Sequence, residues 1–135
     1  VRLMKKLQLQ MFQKLGFDIS LDEYAALDIV SINAGICQRD LAKLLLKDRA
    51  NTGRILDSLE EKGMVTRFID TKNNRLVKKM GITEKGYRKL NEITKKIEVH
   101  VSSFAGNFSH DDVEKMHEML KKFRAHLEEV VEMNI

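Results

Sequence analysis

The chain of 135 residues contains no proline, no tryptophan and a single cysteine, and only 6% of its residues are aromatic. A lone thiol cannot close an internal disulfide, so a reducing compartment, the cytoplasm, is the expected location. So few aromatic rings argue against a stacking platform for single-stranded nucleic acid. No apolar run approaches membrane-spanning length, and no charged-then-apolar signal segment opens the chain. Glycine-rich phosphate loops, nucleophile elbows and paired carboxylates are all missing, so no enzyme chemistry and no cofactor are expected. His110, Glu114 and His117 share one helix side, but on an exposed helix that spacing is more often coincidence than a metal site.

What the chain does have is 43% apolar and 33% charged residues, enough for one soluble domain with a real core. The stretch Gln38 to Gly63 organises the rest. Leu41, Ala42, Leu44 and Leu45 form an apolar stripe at helical spacing that stops at Lys47 and Asp48, and Ile55, Leu56 and Leu59 repeat it until Gly63. Two short helices joined by a tight turn make a helix-turn-helix. With Ile55, Leu56 and Leu59 inward, the second helix presents Arg49, Ala50, Asn51, Gly53, Arg54 and Asp57 on its other side. Arg grips guanine edges or phosphate and Asn can pair bidentately with adenine, which suits a major-groove reader. An ordinary helical hairpin with a solvated charged side reads equally well from this stretch alone.

The residues that follow shift that balance. Met64 to Ile69 and Leu76 to Ile82 are strand candidates, and Asp70 to Asn74 has turn composition. Net charge is +6 over residues 67–89, against +1 over 1–66 and −3 over 90–135. Positive charge beside a helix-turn-helix reads as a footprint for a phosphate backbone.

Gln38-Arg39-Asp40-Leu41-Ala42, Leu59-Glu60-Glu61-Lys62-Gly63-Met64-Val65 with Arg67, Asp70 to Arg75, and Thr83-Glu84-Lys85-Gly86 together resemble the MarR family of winged-helix transcription regulators, in order and spacing over roughly residues 20–90. The resemblance implies a mainly α fold with a small β-hairpin wing, in which residues 19–87 form the DNA-binding lobe and residues 1–18 and 88–135 the dimerisation helices of a single domain. It further implies a homodimeric, sequence-specific regulator of double-stranded DNA, a repressor or an activator, often released by a small aromatic or lipophilic effector. On this reading the DNA-contacting residues are Gln38, Arg39, Arg49, Ala50, Asn51, Thr52 and Arg54, with Lys72, Asn74 and Arg75 in the wing. The wing departs from the family's common Asp-Pro-x-Asp-Arg-Arg: it reads Asp70-Thr71-Lys72-Asn73-Asn74-Arg75, without the proline, the second acid and one arginine. That departure favours the alternative, a winged-helix module that binds a protein instead.

Leu3, Leu7, Met11 and Leu15 stand four apart on a first helix ended by Gly16, and Ser20 with Glu23 is a capping box for a second, whose Ala26, Leu27 and Val30 face inward. Thr83 caps a long helix carrying Tyr87, Leu90, Ile93, Ile97, Val101 and Phe104. In the last helix Val113, Met116, Leu120, Phe123, Leu127 and Val130 alternate spacings of three and four, a heptad-like seam. From these stripes Leu3, Leu7, Met11, Val113, Met116, Leu120, Phe123 and Leu127 are expected at a subunit interface, with an intramolecular bundle as the alternative. A two-fold dimer sets its reading helices about 34 Å apart, so the operator should be a pseudo-palindrome. Met11, Phe12 and Tyr24 are candidates to line an effector pocket. Cys37 stands where a Ser or Thr N-cap would normally precede Gln38, and a thiol at a helix N-terminus is a candidate redox sensor.

Overall fold

Local side-chain devices set the helix boundaries. The computed structural model describes residues 2–104, 106 and 108–133. It places helices α1 at Arg2–Leu15, α2 at Leu21–Ile32, α3 at Gln38–Leu45 and α4 at Arg49–Glu61, then strands β1 (Val65–Lys72) and β2 (Arg75–Ile82), then α5 (Glu84–Phe104) and α6 (His110–Met133). Ser20 and Glu23 form the reciprocal capping box at α2, each backbone N–H donating to the other's side chain at 3.1 Å. Asp48 caps α4 by accepting the Asn51 N–H at 2.7 Å. Gly16 and Gly63 adopt the left-handed conformation just past α1 and α4.

Cys37 occupies the N-cap of α3 in an extended conformation but makes no side-chain cap hydrogen bond. Replacing its sulfur with a hydroxyl would supply the missing acceptor. Cys37→Ser is therefore expected to raise stability by about 1 kcal/mol in urea denaturation, and an unchanged or lowered midpoint would contradict the capping account.

The core lies where α2, α3 and α4 meet the base of the hairpin and the first half of α5. Leu27, Leu41, Leu56, Leu59, Met64, Met80 and Ile93 are fully buried there. Two expected inward positions and one expected interface position differ. Leu44 is exposed, because α3 is only two turns long and buries just the side holding Leu41 and Ala42. Tyr87 is half exposed, one position off the stripe that buries Leu90 and Ile93. Met11 is only 5% exposed and belongs to the interior of this chain rather than to a subunit interface. The side chains of Val101 and Phe104 lie outside the described residues.

The hairpin is longer and tighter than its composition suggests. Strand pairing runs from Val65↔Ile82 to Lys72↔Arg75, leaving only Asn73 and Asn74 as the turn. Both have positive φ, 55° and 63°, the backbone of a type I′ turn, which asparagine adopts more readily than other side chains. Asp70 and Thr71, expected in the turn, are thus strand residues. At its base, β2 gains a further neighbour that the sequence does not announce: the Met80 N–H donates to the Ile36 carbonyl at 2.9 Å, and Cys37 bridges to Lys79.

The compact units of the chain divide within α5, between Ile97 and Glu98, whereas the sequence motifs place the boundary after residue 87. The first unit includes α1, where Phe12 packs edge-on to Phe17 at 5.0 Å and beside Tyr24 at 5.5 Å. The Tyr24 hydroxyl meets Thr94 Oγ1 at 2.8 Å. These contacts account for Phe12 and Tyr24 as packing within the first unit. On α1, Leu3 and Leu7 remain exposed. In the second unit, taken by itself, Val113, Met116, Leu120, Phe123 and Leu127 of the α6 seam are 44–60% exposed.

Candidate nucleic-acid interface

The exposed side of α4 carries Arg49, Ala50, Asn51, Arg54 and Asp57, as the apolar stripe requires. Thr52 does not join them. It is completely buried, and its hydroxyl donates to the Asp48 carbonyl at 2.8 Å, so it secures the start of α4 rather than touching a ligand. Gly53 is half-buried and its vacant Cβ position faces Gln38 of α3, not the outer surface. Asn51 is held in a short polar chain: its amide donates to Asp48 Oδ2 at 3.0 Å, and Arg54 donates to Asn51 Oδ1 at 3.5 Å. The Asp48 carboxylate therefore already takes up the helix entry that a phosphate would otherwise approach.

Charge counting overstates the basic segment, because several of its cations are paired. The Arg67 guanidinium lies 2.6 Å from Asp57 and 2.9 Å from Glu60, clamping β1 to the C-terminal half of α4. Hydrogen bonding to Arg67 holds the Glu60 carboxyl below its usual range, and the same contact raises Arg67. Lys79 pairs with Asp70 at 2.9 Å, and that hydrogen bond, with the Thr71 N–H, lowers the Asp70 carboxyl. Lys89 pairs with Asp18 and Glu92. Among the described residues Arg39, Arg49, Arg75 and Lys78 form no ion pair.

Those four converge on one feature. A concave surface of about 860 Å³ lies between the N-termini of α3 and α4 and the wing, lined by Cys37, Gln38, Arg39, Asp40, Arg49 and the wing residues Lys72, Asn73, Arg75, Leu76, Val77 and Lys78. Five cationic side chains face a single carboxylate there, Asp40, which reaches Lys72 at 3.9 Å. Lys78 was not singled out from the sequence, since a strand lysine is indistinguishable from a solvated one until the hairpin register is known. Asn74, expected to contact DNA, sits at the wing tip beside this concavity without lining it. Hard, closely spaced cations with planar guanidinium forks suit phosphate oxygens and purine edges. No nucleophile and base are paired in it. His110 lies 3.0 Å from Glu114 on exposed α6, and among the described residues no group of three ligating side chains could hold a metal. Among the same residues no helix is long and apolar enough to cross a membrane.

Comparison with known proteins gives this geometry a context. Residues 19–77 match the model of the MarR family. Over 133 residues the chain is 28% identical to the HTH-type transcriptional regulator PrsX of Escherichia coli, covering 96% of this chain and 80% of that relative. It is similar to the crystal structure of the transcriptional regulator SlyA, with 25% identity, a TM-score of 0.68, and coverage of 99% of this chain and 92% of that one. A mutant of S. aureus MepR bound to an oligodeoxyribonucleotide shares the fold at 24% identity and a TM-score of 0.62, over 93% of this chain and 91% of that one.

Proposed function

Residues 19–77 make this chain a member of the MarR family of DNA-binding transcriptional regulators, and from that premise we propose that it is a homodimeric repressor that reads a pseudo-palindromic operator in double-stranded DNA. The observation that carries the reading is the concavity in which Arg39, Arg49, Lys72, Arg75 and Lys78 surround one carboxylate. In this assignment α4 enters the major groove, presenting Arg49, Asn51 and Arg54 to base edges with Ala50 allowing close approach. The wing lies along the backbone, with Lys72 and Arg75 on phosphates and Asn74 at its tip. Asn51 would first have to leave Asp48, a cost that a matching adenine must outweigh.

The homodimer is supported by the exposed seam residues of α6 and by exposed Leu3 and Leu7 on α1, apolar surface that a stable monomer would not leave in water. Sedimentation equilibrium should return twice the chain mass of 15.6 kDa. Phe123→Glu, which puts a charge in the middle of the seam, should lower that mass to one chain and cost at least tenfold in operator affinity, because two half-sites are no longer bound by one particle. A wild-type monomer would remove the dimer from the proposal. Release by a small aromatic or lipophilic effector completes it, and competition of a panel of aromatic acids with bound DNA tests that step: displacement by at least one supports it, displacement by none removes it.

Selection from a random duplex pool tests the reading as a whole. Enrichment of a pseudo-palindrome with half-sites one helical turn apart is the expected outcome. A pool that stays random after repeated selection would contradict it.

A further inference from the structure

Gln38 is the side chain whose surroundings the fold leaves unexplained. Its amide oxygen Oε1 is shielded from solvent and has no hydrogen-bond partner among the described residues. Leaving a buried acceptor unpaired carries its full desolvation cost. Meanwhile the amide nitrogen lies 3.6 Å from the position a Cβ would take on Gly53, an ordinary contact distance, so the Gln38 amide rests in a slot against α4 at that glycine. The same residue borders the cation-lined concavity, between the first turn of α3 and Arg49.

The chemistry of the unpaired atom restricts what could receive it. A phosphate offers only acceptors and would satisfy the amide nitrogen alone, leaving Oε1 without a partner. In the major groove the donors are the amino groups of adenine and cytosine, and adenine places the N7 acceptor beside its N6 amine, so one glutamine amide can engage both. We infer that Gln38 is a specificity-determining residue, folded onto Gly53 in the free protein and turned outward on the operator to read one adenine in each half-site. This rests on the DNA-reading function proposed above and adds a base preference to it.

The test combines a variant with a base analogue. Gln38→Met keeps the length of the side chain and removes both polar ends. It should leave the thermal midpoint of the free protein unchanged or raised, and weaken binding to the selected operator on the order of tenfold, a larger loss than on random duplex. On the wild-type protein, each adenine of a half-site is replaced in turn by purine lacking the 6-amino group. At one position the analogue should cost the wild type a similar factor and cost Gln38→Met nothing further. Equal analogue penalties for the two proteins at every position would overturn the inference, as would a loss on random duplex equal to that on the operator, which marks a phosphate contact. Absence of wild-type binding to any duplex at low salt would instead overturn the DNA reading, and this inference with it.

Discussion

Gly86→Ala is expected to destabilise the protein by about 3 kcal/mol, the upper part of the range for overpacking a site that cannot yield. Gly86 lies buried in the first turn of α5, and a Cβ there would be driven into the Met64 carbonyl and come within 3.0 Å of Ile82 Cγ1. Met64 has no freedom to withdraw, since its carbonyl accepts the Thr83 N–H at 3.0 Å. Thr83 is tied in turn to Gly63 at 2.6 Å and to the Gly86 N–H at 3.0 Å. This knot joins the end of α4, the start of β1 and the start of α5, so any shift propagates to the base of the wing. Gly53→Ala supplies the contrast. Its added carbon meets only the Gln38 amide at an ordinary 3.6 Å, and the gain in helix propensity should stabilise the free protein by up to about 1 kcal/mol. Urea denaturation at one protein concentration reads both variants. Equal midpoints for Gly86→Ala and wild type would show that the close approach carries no constraint.

Glu23→Gln should cost about 3 kcal/mol at neutral pH. Glu23 is 8% exposed and receives Lys62 Nζ at 2.9 Å, the Ser58 hydroxyl at 2.9 Å and the Ser20 N–H at 3.1 Å, while Lys62 also donates to the Asp18 carbonyl. Removing one member of such a pair leaves the other charge without its counter-ion, which costs about 3–5 kcal/mol for fully buried pairs; Lys62 keeps about a third of its side chain in solvent, which sets the lower figure. Burial alone would push the Glu23 carboxyl up, but the hydrogen bonds from Lys62, Ser20 and Ser58 outweigh it and hold the carboxyl below its ordinary range. A lowered carboxyl in the folded state contributes stability that is fully present above the unfolded-state value and is lost as pH falls through the folded one. The difference between wild type and Glu23→Gln should therefore be constant near neutrality and shrink in acid. A gap that did not narrow with acidification would mean that the charge of Glu23 is not what the network uses. Ser58 and Lys62 stand on the C-terminal half of α4 and at its cap, so the same network fixes the pitch at which the reading helix leaves the core.

Both variants involve contacts of very different visibility in the sequence. The caps were legible because each is written within four residues: Ser20 with Glu23, Asp48 before Arg49, Thr83 before Glu84. The inward faces of α2 and α4 were legible because helical periodicity sorts them. By contrast, the Glu23–Lys62 pair spans 39 residues, and no local pattern announces it. Arg67 illustrates the same limit from the other side. It counted towards a basic footprint, yet Asp57 and Glu60 consume it, so net charge by segment measured more free cation than the fold provides. Thr52 is a DNA contact by the family resemblance alone, yet it lies on the inward side of α4 with Leu56 and Leu59 and folds its hydroxyl back on the Asp48 carbonyl. Asp70 and Thr71 have turn composition, but two asparagines already complete the turn, and the Asp70–Lys79 pair holds the strand above it. The concavity needed all of these corrections before its lining could be named.

The central claim is that this lining grips a DNA backbone while α4 reads the sequence. Fluorescence anisotropy with the selected operator and with random duplex, across a salt series, addresses it most directly. The account predicts a steep linear fall of log affinity with log salt for both duplexes, tighter binding to the operator, and a slope reduced by about one per subunit in Arg75→Ala. No binding to either duplex at low salt, or binding indifferent to salt, would contradict it and turn attention to an acidic protein partner for the same surface.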